Sequence, residues 1–242
     1  MQPPGYTGGV AMTIASDIAY AVIPARSGSV RIPRKNLANF GGEPAISLAI
    51  KIARDSSVFS RIIVSTDDEE IASCASRSGA EIIWRPKELC DSFTPLQPVV
   101  KHAIEHSPYA DLICLVLATA VFLDPNRLRY AYEILKKDAR LDYAIGISRF
   151  ESPPQRALVR NSDGCISMQS PEYLLSRSQD MPNLYHDAGQ FSFGRKQAWL
   201  SDRHSFVANT YGIELGRLEA IDIDVPEDLE FAQRIFDLRS VL

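Results

Sequence analysis

Three features of the sequence predict an α/β fold with a doubly wound, mostly parallel sheet and a small inserted lobe. Short apolar runs alternate with amphipathic segments at the spacing of βαβ units. One of those runs, Asp111 to Leu117, is apolar almost throughout, as in a strand covered on both faces of a parallel sheet. After Leu141 the alternation gives way to a Pro-rich stretch that is too long for an ordinary crossover. With 242 residues and 45% hydrophobic content, the chain can bury a full core. It is read as a leader over residues 1–17 and one domain over 18–242, with 149–184 as the inserted lobe.

Taken in order, the first strand is Tyr20 to Ile23, broken at Pro24. A helix follows from Pro44 to about Asp55, with Ile46, Ala49, Ile50 and Ala53 on one face. The second strand is Arg61 to Ser65. Thr66 or Asp67 offers an N-cap oxygen to a helix that runs to Ser78 and stops at Gly79. Strand Glu81–Trp84, a Pro-bounded loop and a helix from about Gln97 to His106 come next. The buried strand 111–117 leads into a helix near Pro125, and Asp142 to Ser148 forms another strand. In the lobe, Arg156–Val159 and Cys165–Met168 flank an Asn-Ser-Asp-Gly turn and predict a hairpin. The segment YHDAGQFSFG returns to the sheet, with a short helix around Gln197. A strand from Ala220 to Ile223 and a helix from Pro226 to about Leu238 close the chain.

Composition excludes several classes of function. A net charge of −4 leaves no basic field for nucleic acid, and the longest apolar run, Leu112 to Leu123, is too short to span a bilayer. The leader has neither a basic n-region nor an apolar h-region and does not read as a signal peptide; Met12 reads as the more natural start. The four cysteines are scattered, with no Cys-x-x-Cys pair and no His at metal-ligand spacing. They read as reduced thiols of a cytoplasmic protein.

Two stretches carry chemistry. AVIPARSGSVRIPRKN, residues 21–36, is a strand followed by a loop with Gly28 and Ser29, which permit close backbone approach, and the cations Arg26, Arg31, Arg34 and Lys35. Lys51 adds charge further on. A strand-end loop of this kind holds phosphate through backbone N–H groups and side-chain charge, though its spacing is neither the P-loop nor the dinucleotide pattern. The other stretch is IDIDVPED, residues 221–228. On a strand, Asp222 and Asp224 share one face while Ile221 and Ile223 share the other. Two such carboxylates beside phosphates suit Mg²⁺; alternatively, Asp224 simply caps the last helix ahead of Pro226.

Together these motifs resemble the CMP-sialate synthetase family of sugar-acid cytidylyltransferases. AVIPARSGSVRIPRKN is similar to the family's opening motif. VSTDDEEIA (64–72), RPKEL (85–89) and IDIDVPEDL (221–229) are similar to further family blocks, so that the resemblance spans Tyr20 to Phe236. RSQDMPNLYHDAGQF (177–191) is most similar to the pseudaminic acid cytidylyltransferases within that family. The resemblance implies a Rossmann-like fold of the nucleotide-diphospho-sugar transferase type. It also implies an Mg²⁺-dependent enzyme that transfers CMP from CTP to the anomeric hydroxyl of a nine-carbon sugar acid, here pseudaminate, for surface or flagellar glycans. The inserted lobe, 149–184, is read as covering the substrate or pairing with a second subunit in a homodimer.

By the same resemblance, Arg26, Gly28, Ser29, Arg34, Lys35, Asn36, Arg85 and Thr119 bind the nucleotide, with Lys35 and Arg26 stabilising charge at the α-phosphate. Asp222 and Asp224 bind Mg²⁺, and Asp224 or the metal assists removal of the hydroxyl proton. Arg177, Gln179, His186, Asp187 and Gln190 line the sugar pocket; Arg177 suits the sugar carboxylate, whereas His186 and Gln190 also have purely structural readings. The sequence departs from the family pattern at Val30, where a lysine is usual, at Ser27, at Leu117 and at Val121. Those departures keep two alternatives in view: synthesis of the legionaminate or neuraminate product, and a catalytically weak nucleotide-binding homologue.

Overall fold

The computed structural model describes residues 18–201 and 203–239; the expected leader over residues 1–17 lies outside them. β1 (Ala19–Pro24) is buried along all but its last residue. A small ribbon of β2 (Asn39–Phe40) and β3 (Glu43–Pro44) turns through Gly41 and Gly42, with φ of 59° and 94°. Only glycine takes both values without strain. α1 (Ala45–Asp55) buries the expected stripe of Ile46, Ala49, Ile50 and Ala53. β4 (Arg61–Thr66) leads to α2 (Glu69–Arg77), whose cap is Asp68 rather than Thr66 or Asp67. One Asp68 carboxylate oxygen accepts from the N–H groups of Glu70 and Ile71, both at 2.9 Å.

β5 (Glu81–Trp84) is followed by α3 (Leu96–His106) and by β6 (Leu112–Val116), which is buried at every position. α4 (Pro125–Lys137) starts on its proline, with the Asp124 side chain accepting from Asn126 N–H at 2.9 Å. β7 (Tyr143–Arg149) precedes the hairpin of β8 (Leu158–Arg160) and β9 (Ile166–Met168), with Gly164 at φ 85° in its turn. β10 (Tyr185–Arg195), α5 (Lys196–Leu200), β11 (Thr210–Glu214) and α6 (Pro226–Arg239) complete the described chain.

Seven strands form the main sheet in the order β11-β7-β10-β6-β1-β4-β5. All pairings are parallel except those of β10, which runs antiparallel to both β6 and β7. The chain winds from β1 outward through β4 to β5, then returns through α3 to β6 on the other side of β1. That reversal opens a crevice at the carboxyl ends of β1 and β6, the place where open α/β sheets bind ligands. One face of the sheet packs on α1, α2 and α4 around Ile23, Ile50, Leu112 and Phe193, and the other on α3 and α5 around Val22, Val100 and Trp199.

The expected strand at Ala220–Ile223 forms no ladder; the last sheet strand is β11, paired in parallel with β7 from Thr210 to Glu214. β11 escapes a sequence reading because its burial is a single position, Ile213. Residues 221–224 have no regular secondary structure. Their backbone is held by side chains: Gln190 Nε2 donates to the Ile221 carbonyl at 3.1 Å and Lys35 Nζ to the Ile223 carbonyl at 2.5 Å. The alternation read from the sequence survives without the ladder, since Ile223 is fully buried while Asp222 and Asp224 reach solvent.

Candidate active site

A cleft of about 600 Å³ lies at the crevice, lined by Arg26, Ser29, Arg31, Lys35 and Asn36 from the loop after β1. Arg85, Leu89 and residues 91–94 line it after β5, Leu117 to Thr119 after β6, and Asp224 from the stretch before α6. Six of the expected nucleotide residues, Arg26, Ser29, Lys35, Asn36, Arg85 and Thr119, thus share one cavity with one of the two expected carboxylates.

The loop after β1 is held open by hydrogen bonds that its own sequence only half declares. Asn36 Nδ2 donates to the Arg26 carbonyl at 3.0 Å, tying the end of the loop to its beginning. Asp67 does more: one of its oxygens accepts from Ser27 N–H at 2.9 Å and the other from Ser27 Oγ at 2.9 Å. Burial pushes the Asp67 carboxyl up, but these bonds and the charge of Arg85 outweigh it and leave it below the usual carboxylate range. Sequence reasoning missed Asp67. The available signal was the Asp67-Asp68 pair itself, because a helix needs only one N-cap. Arg85 is buried and donates from Nη2 to the Ser65 carbonyl at 2.7 Å. Burial lowers its guanidinium from the ordinary value, with Cys90 and Asp67 opposing; it remains a cation at any working pH.

Two expected cations lie elsewhere. Arg34 takes a left-handed backbone (φ 59°) and pairs with Glu70 on α2, away from the cleft. Lys51 pairs with Asp55 at 2.5 Å on the outer face of α1. Gly28 is exposed and does not line the cleft; its carbonyl accepts from Arg26 Nη1. Val30 does line the cleft, 77% exposed, so the position of the missing lysine faces the ligand. The neighbouring Arg31 turns to Asp224, at 2.9 Å.

Lys35 is the hinge of the site. Its ammonium donates to the Ile223 carbonyl and stands 3.7 Å from Asp224 Oδ1. Asp222 sits beside Gly189, where a Cβ would stand 3.4 Å from Asp222 Oδ2. Gly189 adopts φ 61°, so both the close approach and the backbone favour glycine. Burial raises the Asp222 carboxyl above its usual range; the charge of Asp224 adds to this and Lys35 opposes it. A divalent cation relieves such crowding. Among the described residues no third His, Cys, Asp or Glu joins the pair in a metal-ligand group. That donor set fits Mg²⁺, which takes one or two carboxylates and completes its shell with water and substrate oxygens.

The expected sugar residues approach from β10 and the segment before it. Gln190 is 2% exposed and holds the Ile221 carbonyl, so it positions the acidic stretch instead of lining a pocket. Asp187 accepts from Gly189 N–H at 3.0 Å. His186 rests 4.8 Å from the Phe150 ring, with Nδ1 2.8 Å from the Asp187 carbonyl. Gln179 lines a separate hollow of about 210 Å³ with Phe150 and Pro154, and Arg177 pairs with Asp180 at 2.7 Å, largely exposed. Arg177, Gln179 and His186 therefore do not share the nucleotide cleft.

Comparison with known proteins gives a consistent picture. A family model described as cytidylyltransferase matches residues 20–242. The chain is 38% identical over 221 residues to the pseudaminic acid cytidylyltransferase of Campylobacter jejuni, covering 89% of this chain and 94% of that protein. It is 28% identical to the CMP-N,N'-diacetyllegionaminic acid synthase of Legionella pneumophila, covering 91% and 97%. The solved structure of CMP:2-keto-3-deoxy-manno-octonic acid synthetase complexed with CTP superposes with a TM-score of 0.70 at 17% identity, covering 92% of this chain and 99% of that one; at that identity the likeness is one of fold.

Removing the Asp67 clamp tests the loop. Asp67→Ala is expected to weaken CTP binding by roughly tenfold or more, as for loss of hydrogen bonds to a charged group, with Ser27→Ala giving a smaller effect in titration calorimetry. Because the Asp67 carboxyl is held low, its contribution is present above the ordinary carboxylate range and is lost as pH falls through the depressed value. Asp67→Asn should therefore show a shallower acid limb in thermal stability than the parent chain.

Proposed function

The chain belongs to the cytidylyltransferase family, and we propose that it transfers CMP from CTP to the anomeric hydroxyl of a nine-carbon sugar acid, pseudaminate, releasing pyrophosphate. The observation that carries this reading is the meeting of Lys35 with Asp224, 3.7 Å apart, in a cleft also lined by Arg26 and Arg85. Cations for a phosphate chain and carboxylates for its counter-ion are the two halves of polyphosphate chemistry. Substrate choice is supported by the 38% identity to the pseudaminic acid enzyme over most of both chains.

In this mechanism the anomeric oxygen bonds to the α-phosphorus of CTP while the bond from that phosphorus to the pyrophosphate oxygen breaks. The hydroxyl proton leaves to Asp224 or to solvent, its loss eased by Mg²⁺ when that ion is bound. Lys35 and Arg26 hold the charge that grows on the phosphoryl oxygens, and the backbone around Ser29 cradles the leaving phosphates. Arg85 and Thr119 keep the nucleoside in place. Asp222 and Asp224 are the residues that would hold Mg²⁺, which supplies charge neutralisation across the phosphate oxygens when bound. Asp187 and His186 of β10 and Arg177 of the segment before it are the residues that would meet the sugar acid, Arg177 exchanging Asp180 for the sugar carboxylate in two-point fashion.

We further propose that residues 149–184 cover the sugar and pair with a second copy of the chain in a homodimer. Support comes from apolar side chains that this segment leaves in solvent: Leu158 at 58%, Ile166 at 64% and Leu175 at 94% exposed. The reaction belongs in the cytoplasm, where CTP is made. That fits four unpaired cysteines and the absence, among the described residues, of a helix long and apolar enough to cross a membrane. The product would serve a transferase that builds surface or flagellar glycan.

A pyrophosphate-release assay with CTP, Mg²⁺ and a panel of pseudaminate, legionaminate and neuraminate is expected to show turnover with pseudaminate. Silence with every acid while CTP still binds would reduce the protein to a nucleotide-binding homologue, and turnover with neuraminate alone would overturn the substrate. Asp222→Asn and Asp224→Asn should each cut Mg²⁺-dependent turnover by roughly 100-fold or more with an unchanged circular dichroism spectrum; near-parent rates would reject that carboxylate. For the assembly, sedimentation velocity should give a dimer that Leu175→Asp converts to monomer, and a monomeric parent chain would refute it.

A further inference from the structure

Phe93 is 93% exposed, yet it lines the nucleotide cleft. A single exposed apolar side chain is ordinary on a protein surface. This one differs in how it is presented. The wall that carries it, residues 85–95, is fixed at its entry, at its tip and at its exit. At the entry, Leu89 N–H donates to the Pro86 carbonyl at 2.9 Å and Cys90 Sγ to the same carbonyl at 3.2 Å. At the tip, one Asp91 oxygen accepts from the N–H groups of both Phe93 and Thr94, at 2.7 Å each. At the exit, Pro95 fixes the backbone (φ −60°) and caps α3. The backbone that carries the ring is tied, and the ring itself stands in solvent at the cleft.

The position of the ring within the cleft narrows what it meets. The side chains that suit phosphate are Arg26, Arg31 and Lys35 of the loop after β1, with Asp224 of the stretch before α6 beside Arg31 and Lys35. Phe93 comes from the loop between β5 and α3, which also brings Arg85 and Leu89 to the cleft, with Leu96 and Val99 from α3 and Leu117 from just after β6. A neutral aromatic face offers nothing to a phosphate and has much to offer a flat heterocycle. Base–aromatic stacking is tolerant of sequence, and a loop backbone already tied gives up little freedom on binding.

We propose that Phe93 is a nucleotide-binding residue that stacks against the base of the bound nucleotide, beside Arg85 in the loop between β5 and α3. The inference rests on the cytidylyl-transfer reading of the same cleft and adds to it the group that grips the nucleoside. It also accounts for Leu117 and Val30. With the base held by stacking and by Arg85, Leu117 serves as an apolar floor, and part of the nucleotide's grip comes from a contact that needs no lysine at Val30.

Titration calorimetry on the full chain tests it, with CTP, CMP and inorganic tripolyphosphate as probes. Phe93→Ala is expected to weaken CTP and CMP by roughly 10- to 100-fold while leaving tripolyphosphate affinity unchanged. The same variant should keep the parent's thermal midpoint, since the ring it removes is not packed in the core. Phe93→Trp should retain nucleotide affinity, and its added indole emission, measured over that of Trp84 and Trp199, should be quenched by CMP and untouched by tripolyphosphate. In turnover, Phe93→Ala should raise KM for CTP and leave KM for the sugar acid within about twofold. CTP affinity of Phe93→Ala within twofold of the parent would overturn the proposal and leave the reading of the cleft intact. Equal losses for CTP and tripolyphosphate would also overturn it, by assigning the ring to the phosphate loop. Failure of the parent chain to bind CTP at all would overturn the reading of the cleft and this inference together.

Discussion

The hydrogen bond from the Lys35 ammonium to the Ile223 carbonyl, with Asp224 3.7 Å away, joins two parts of the chain 188 residues apart. Neither part makes a site alone. The loop after β1 is a cluster of cations on a protein of net negative charge, and the stretch before α6 is a run of acids with no ladder to hold it. Each supplies what the other lacks. Lys35 keeps the acidic backbone in place from one side, and Gln190 keeps it from the other by donating to the Ile221 carbonyl. The antiparallel strand β10 brings Gln190 and Gly189 under Asp222, so the sheet itself decides where the carboxylates sit.

The ion pairs around this junction are suited to exchange. Arg31 and Asp224 are 62% and 46% exposed in their side chains, and exposed pairs of this sort contribute little to stability. A triphosphate offers Arg31 a stronger anionic partner, and a cation offers Asp224 a stronger positive one. By contrast, the contacts that shape the loop are protected or doubled. Asp67 takes both the N–H and the hydroxyl of Ser27, and Arg85 is buried against the Ser65 carbonyl. The scaffold is fixed by bonds that persist, and the ligand side is held by bonds that can be traded.

Much of this was legible in the sequence, for physical reasons. The helices announced themselves through apolar stripes such as that of α1, and β6 through its unbroken apolar run, because burial on both faces demands it. The cationic side of the cleft was legible because Arg26, Arg31 and Lys35 lie within one short stretch. What could not be read were contacts between distant stretches. Arg34 resembles its neighbours in composition, but its left-handed backbone points it toward Glu70. Asp67 looks like half of a helix cap until Ser27 is brought to it. The β11 strand was hidden by having one buried residue, and residues 220–223 imitated a strand because the same alternation serves a segment held by side chains. Gln190 was expected near the sugar and proves to hold the backbone that carries Asp222.

If the junction is the heart of the site, removing its cation should damage chemistry more than binding. The direct measurement is the single-turnover rate of Lys35→Met with saturating CTP, Mg²⁺ and pseudaminate, set beside the affinity of the same variant for CTP. The expected result is a rate lower by roughly 100- to 1000-fold, the usual consequence of losing one donor to transition-state charge, with CTP affinity reduced by about tenfold or less. A variant that turns over within a fewfold of the parent, or that loses binding and rate in equal measure, would contradict the role given to Lys35 here.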